Sequence, residues 1–194
     1  MKKINRRQFI SKTSLGVGTA FFISHQSLEL NAQPLEVPVD KSIGFQIWPV
    51  REALLKDFEG TLRQVASYGY KTVEMCSPPG YGFATLAKMT AKEMNKTFKA
   101  AGLTCTSCHY QFNELLESLD ERISFAKELG LKQMIVASFG IKNNAPMSEW
   151  LQAADKMNRL GELARKEDIQ LGFHNHDFEF QEIDGVLMLL IKSA

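Results

Sequence analysis

From residue 43 onward, short apolar runs alternate with longer stretches whose apolar residues recur every three or four positions. The first pattern is that of buried strands and the second that of helices packed on one face. Ile43 to Trp48 opens the series as a strand, with Gly44 and Gln46 breaking the run and Pro49 stopping it. Ala53 to Tyr68 reads as a helix, because Leu54, Leu55, Phe58, Leu62, Val65 and Ala66 fall at helical spacing and Gly69 supplies a stop. Thr72 to Met75 is the second strand, followed by a long loop built on Pro78, Pro79, Gly80 and Gly82. Thr90 with Glu93 three residues on is a capping-box pattern, so a helix is expected from Thr90 to Ala101. Leu103 to His109 is the third strand, and Asn113 to Leu129 a strong helix ended by Gly130. Leu131 to Ser138 is almost continuously apolar, as a parallel strand covered by helices should be. Ser148 caps a helix running to Lys166, and Ile169 to His176 is the fifth strand. Asp184-Gly185 signals a turn, after which Val186 to Ile191 begins a fifth helix.

Five βα units with no antiparallel hairpin imply a parallel sheet with right-handed crossovers. Doubly wound sheets and barrels both place ligands at the C-terminal strand ends. The polar residues collect there: Gln46, Glu74, His109, Ser138 and a cluster from His174. No G-x-G-x-x-G follows a strand, which leaves a nucleotide-binding sheet without support.

That last cluster is the densest chemistry in the chain. Ile169, Leu171 and Phe173 alternate with Gln170 and Gly172, then His174, Asn175, His176, Asp177 and Glu179 follow. In a continued strand His174 and His176 point to one side, roughly 6.5–7 Å apart. Such a pair can hold a divalent metal, or one can bind metal while the other moves protons. The plainer reading is a polar strand end with solvated histidines.

Composition narrows the partners. Hydrophobic residues make up 44% and charged residues 23%, ordinary for a globular chain of one domain. A formal charge of +1 gives no global basic field, so nucleic acid is not an expected partner. Cys105 and Cys108 form a C-x-x-C, but their odd spacing on a strand sends them to opposite faces. That suits neither a disulfide nor a shared metal, and small apolar packing is the expected role. Residues 1–32 read as a targeting segment. Lys2, Lys3, Arg6 and Arg7 precede an apolar run from Leu15 to Ile23, and Asn5 to Lys12, N-R-R-Q-F-I-S-K, resembles a twin-arginine export signal. The expected location is therefore periplasmic or otherwise exported, with the twin-arginine machinery as a partner. A basic tail or an uncleaved anchor is the alternative. Residues 33–42 are a linker.

Four blocks carry a family resemblance. Gly44 to Leu54, Gly69 to Glu74, Ala101 to His109 and Gly172 to Phe180 resemble the sugar phosphate isomerase/epimerase proteins of the xylose isomerase-like TIM-barrel superfamily. The implied fold class is α/β, a (β/α)8 barrel of which 43–194 would supply about the first five βα units. A whole barrel takes about 250 residues, so the last three strands are expected to be missing. The resemblance implies a divalent metal (Mn, Mg, Zn or Co) held by four strand-end side chains, typically Glu, Asp, His and Glu. His174 falls at the first ligand position, with histidine in place of the more usual glutamate. The other three ligands would come from later strands. By the same resemblance His176 faces the substrate or assists proton transfer, while Glu74 and His109 bind sugar hydroxyls or do acid–base work. Gln46 would line the pocket floor, Trp48 and Tyr81 would stack on a sugar, and Glu179 would contact substrate or orient a histidine.

The plainer alternatives stand beside these: Glu74 as a salt-bridge partner, His109 as a strand end, Gln46 serving buried backbone, Trp48 and Tyr81 as packing. The functional expectation is an exported, metal-assisted sugar isomerase or epimerase, or a related lyase or hydrolase acting on oxidised sugars. The competing expectation is an inactive fragment of such an enzyme, able to self-associate through an open barrel edge. The superfamily's DNA-repair branch would need more strand-end histidines and a basic groove.

Overall fold

The computed structural model describes residues 42–142, 144–183 and 185–187. The expected export signal, and the linker up to Lys41, lie outside the described residues. So do Asp184 of the expected turn and residues 188–194. Among the described residues no helix is long and apolar enough to cross a membrane.

Five strands form one sheet: β1 (Gly44–Gln46), β2 (Thr72–Cys76), β3 (Thr104–Tyr110), β4 (Gln133–Val136) and β5 (Gln170–Phe173). They pair in parallel in the order β1-β2-β3-β4-β5. A doubly wound sheet reverses direction at a switch point, whereas a β/α barrel adds each strand beside the last. The sequential order is therefore that of a partial barrel, and decides between the two architectures that the pattern left open.

The helices between the strands are α1 (Arg51–Lys56), α2 (Phe58–Ser67), α3 (Ala91–Ala100), α4 (Phe112–Leu129) and α5 (Met147–Lys166). Each lays an apolar stripe on the core: Leu54; Leu62 and Val65; Met94 and Phe98; Leu115, Ile123 and Ala126; Trp150, Leu160 and Ala164. Val73, Met75, Cys108 and Met134 meet them from the sheet.

Several boundaries differ from the sequence expectation, each for a local reason. β1 ends at Gln46, and Trp48 begins a 3-10 turn with Pro49. The single helix expected over 53–68 is two, broken at Asp57, whose extended backbone lets its carboxylate accept from Gly60 N at 2.8 Å. The capping box at Thr90 is present as expected. Ser148 is not a cap: α5 starts at Met147 behind Pro146. β5 stops at Phe173, so His174 and His176 lie beyond the strand, and a 3-10 turn follows at Phe178–Phe180. No helix starts at Val186. Val186–Leu187 (β7) pairs antiparallel with Glu182–Ile183 (β6), the hairpin that the pattern excluded, and Gly185 takes the positive φ of 77° that a two-residue hairpin turn needs.

One further correction sets the site. The register runs Val73 to Cys105, then Glu74 to Ser107, so β3 carries an extra residue at Thr106. That bulge places Cys105 and Cys108 beside Val73 and Met75, on one face rather than two. Both thiols are buried and free, as packing residues. Burial pushes the Cys105 thiol up to about 12 and Cys108 well above its ordinary value, which withholds the thiolate that redox or metal chemistry uses.

The cap at Asp57 gives the first test. Asp57→Ala should lower stability by about 1 kcal/mol in urea unfolding, while Asp57→Asn should stay near wild type. Equal losses in both variants would show that the cap does not hold the break between α1 and α2.

Candidate active site

The bulge turns Ser107 and His109 toward the same face as Glu74, and β1 brings Gln46 beside Glu74 in register. Four side chains from three strand ends then form one network. His109 Nε2 lies 3.1 Å from Glu74 Oε1, and Ser107 Oγ donates to Glu74 Oε2 at 2.7 Å. Gln46 Nε2 lies 3.0 Å from His109 Nδ1. With that amide donating, Nδ1 carries the lone pair and Nε2 the proton that points at Glu74. His109 is 4% exposed, so its tautomer is fixed by these two partners rather than by water.

Glu74 is only half-buried. Burial raises its carboxyl, but hydrogen bonds from His109, Ser107 and Gln46 more than offset this and hold it below its ordinary value. The network therefore presents an ionised carboxylate at the C-terminal end of the sheet.

β5 supplies the facing wall. His174 N donates to Val136 O at 3.0 Å, which carries the strand direction one residue past β5. Gly172 leaves the space beside Ile135 open, since a Cβ there would come within 3.1 Å of Ile135 Cδ1. The His174 ring stands edge-on to His109 at 5.1 Å and to His176 at 5.0 Å between centroids. Desolvation first, then the neighbouring His109 and His176 rings, lower the His174 imidazole below its ordinary value despite Glu74 and Glu179. It stands neutral, with a lone pair to offer. His176 stacks on Phe178 at 5.5 Å. Glu179, 3% exposed, accepts from His176 N at 2.6 Å and lies 3.9 Å from His176 Nδ1. Its carboxylate thus fixes the turn that carries His176.

Trp48 and Tyr81 meet edge to face at 5.5 Å, with Phe83 behind them. The Arg51 guanidinium covers the Trp48 ring at 4.4 Å. The expected residues Gln46, Glu74, His109, His174 and His176 are thus brought together, while Trp48 sits just beyond Gln46 in an aromatic group. Ser138 stays apart, accepting from Gly140 N within its own loop. Sequence reasoning missed Ser107. Counting back two from His109 on a strand finds it, because those two side chains share a face.

The metal implied by the resemblance can be tested against these donors. Among the described residues no three His, Cys, Asp or Glu side chains form a group that can hold a metal ion. Both ring nitrogens of His109 are engaged, and Glu179 is turned to backbone. His174 is a single donor, and the described residues do not make a metal shell.

Comparison with known proteins bears on the fold and the family. No curated protein matches the sequence. Among solved structures, a sugar phosphate isomerase/epimerase from Parabacteroides distasonis is similar with a TM-score of 0.62 at 23% identity, over 76% of this chain and 59% of that one. The IolI protein, solved with a bound zinc atom, gives 0.51 at 13% identity, over 68% of this chain and 50% of that one. A probable 3-DHS dehydratase, AsbF, involved in petrobactin synthesis in Bacillus anthracis, gives 0.51 at 9%, over 67% and 50%. The chain thus spans about three fifths of the first relative and half of the other two, and at these identities the likeness is one of fold. A family model described as xylose isomerase-like TIM barrel matches residues 62–187, more than half of the sequence, and the chain belongs to that family.

Proposed function

We propose that the rim formed by Gln46, Glu74, His109 and His174 binds a small sugar or sugar derivative and moves a proton on the carbon next to its carbonyl, the chemistry of an isomerase or epimerase. The observation that supports this reading best is the ionised Glu74 carboxylate, held by His109 and Ser107 with the neutral His174 imidazole facing it. Three donors on two carboxylate oxygens still leave Glu74 a lone pair for substrate. A substrate that displaces water from Glu74 adds to the burial that already raises its carboxyl, which strengthens the carboxylate as a base. His109 returns stability to that carboxylate through its Nε2 proton and fixes its direction. His176, on the turn held by Glu179, completes the proton path on the other side. Trp48 with Tyr81 gives the sugar an apolar wall. A divalent metal would polarise the carbonyl oxygen if bound. His174 would be its one donor from the described residues, and no step assigned to this chain's side chains runs through it.

The setting of this activity belongs to the same proposal. The N-R-R-Q-F-I-S-K stretch supports export by the twin-arginine route. Among the described residues the sheet has β1 and β5 at its ends, and a strand edge left unpaired would favour self-association.

Exchange with solvent tests the chemistry. The full chain is incubated in D2O with a panel of ketoses and aldoses, with and without added Mn, Mg, Zn or Co, and deuterium at the carbon beside the carbonyl is read by NMR. Wild type should incorporate deuterium, and Glu74→Gln should be slower by at least about 100-fold. No incorporation on any sugar, or equal rates in both chains, would overturn the reading.

The acid limb of stability tests the state of Glu74. Its carboxyl titrates lower in the fold than in the unfolded chain, so folding favours the ionised form. That contribution is present above the unfolded value of 4.5 and is lost as pH falls through the lower folded value. Urea unfolding at stepped pH should show the advantage of wild type over Glu74→Gln shrinking below that point. A constant difference down the series would mean that Glu74 is not held ionised by the fold.

A further inference from the structure

We propose that Glu114 is a positioning residue for this site, acting through the loop after β2 rather than on substrate; the word site here rests on the reading given above. Two hydrogen bonds and one neighbouring cation converge on its carboxylate. Ser77, 1% exposed and three residues beyond Glu74, donates from Oγ to Glu114 Oε1 at 2.5 Å. Gln111 N, at the start of α4 and two residues beyond His109, donates to Glu114 Oε2 at 3.4 Å as half of a capping box. Arg122, from the second part of α4, places Nε 3.7 Å from Oε1.

The loop closes on the same carboxylate. A Cβ at Gly80 would collide with Glu114 Oε2, so a larger residue there would have to push the carboxylate aside. Tyr81 N donates to Ser77 O at 3.0 Å, and the Tyr81 ring then meets Trp48, two residues beyond Gln46. Ser77 N also donates to His109 O at 2.7 Å, so the exit of β2 is pinned directly to the histidine of the network. Glu114 therefore ties together the ends of β1, β2 and β3, which carry Gln46, Glu74 and His109. None of the mechanistic steps uses it, and it lies on a helix rather than at a strand end.

The test reads the site without needing a substrate. Wild type and variants are labelled with 15N-histidine and 15N-tryptophan, and the His109 ring nitrogens and the Trp48 indole are followed by NMR. Glu114→Ala and Ser77→Ala should each shift both sets of signals, and Glu114→Gln, which keeps an acceptor for Ser77, should bring them back toward wild type. Asp57→Ala serves as the control. It removes a cap from a different helix and should leave His109 and Trp48 in place. Unchanged signals in both Ser77→Ala and Glu114→Ala, or the same shifts in Asp57→Ala, would overturn the proposal. If Glu114→Ala does not fold, Ser77→Ala decides alone. Shifted His109 signals in a chain that exchanges no deuterium would sink the sugar reading and leave the positioning role standing.

Discussion

One extra residue in β3 determines which face of the sheet carries chemistry. Side chains on a strand alternate, so a shift of one position exchanges the faces of everything beyond it. Up to Cys105 the strand runs in step with β2; at Thr106 it gains a residue, and from Ser107 it is in step again but on the opposite parity. Without the bulge, Ser107 and His109 would point toward the helices, into the layer of Leu115 and Met94. With it they join Glu74 and Gln46, and Cys108 takes the place in the apolar layer. The whole polar network rests on that insertion. Bulges re-aim side chains beside functional sites in this way, at the loss of one paired residue in the ladder.

The energetic consequence is a division of labour between faces. The helix side buries thiols, methionines and aliphatic chains, where desolvation keeps Cys105 and Cys108 protonated and inert. The other side holds a half-buried carboxylate whose proton affinity burial raises. Hydrogen bonds from His109, Ser107 and Gln46 reverse that tendency. The lowering of the Glu74 carboxyl below its ordinary value is thus a property of the network rather than of the residue. Losing Ser107 or His109 would remove part of what holds that carboxyl low.

The fold was legible because helical and strand periods differ and because glycines mark the helix ends. All five strands and the capping box at Thr90 follow from those signals. What was not legible depended on single residues. Asp57 splits a helix whose apolar spacing continues across it, because a side-chain cap outweighs periodicity locally. The hairpin at Glu182–Ile183 and Val186–Leu187 was hidden because two-residue strands carry no period to read. In the site, Gln46, Glu74, His109 and the two later histidines were visible as polar residues at strand ends. The facing of the cysteines was misread, since period-two counting assumes an unbroken ladder and a bulge leaves no mark in composition. Ser107 and Glu114 were missed for a different reason: their importance lies in which partner they reach, and no local pattern specifies that.

The histidines show how far residue type falls short of role. Three imidazoles near two carboxylates suggest a metal centre, yet a metal ligand must have a free nitrogen, with its other N–H held by an outer partner. His109 has a partner at each nitrogen, so it belongs to a hydrogen-bonded dyad with Glu74. His176 has Glu179 beside it and Phe178 stacked on its face. His174 alone combines a lowered proton affinity with an exposed position. The roles therefore divide by hydrogen-bond occupancy. His109 orients, His176 is oriented, and His174 is the nitrogen left open to whatever enters the rim.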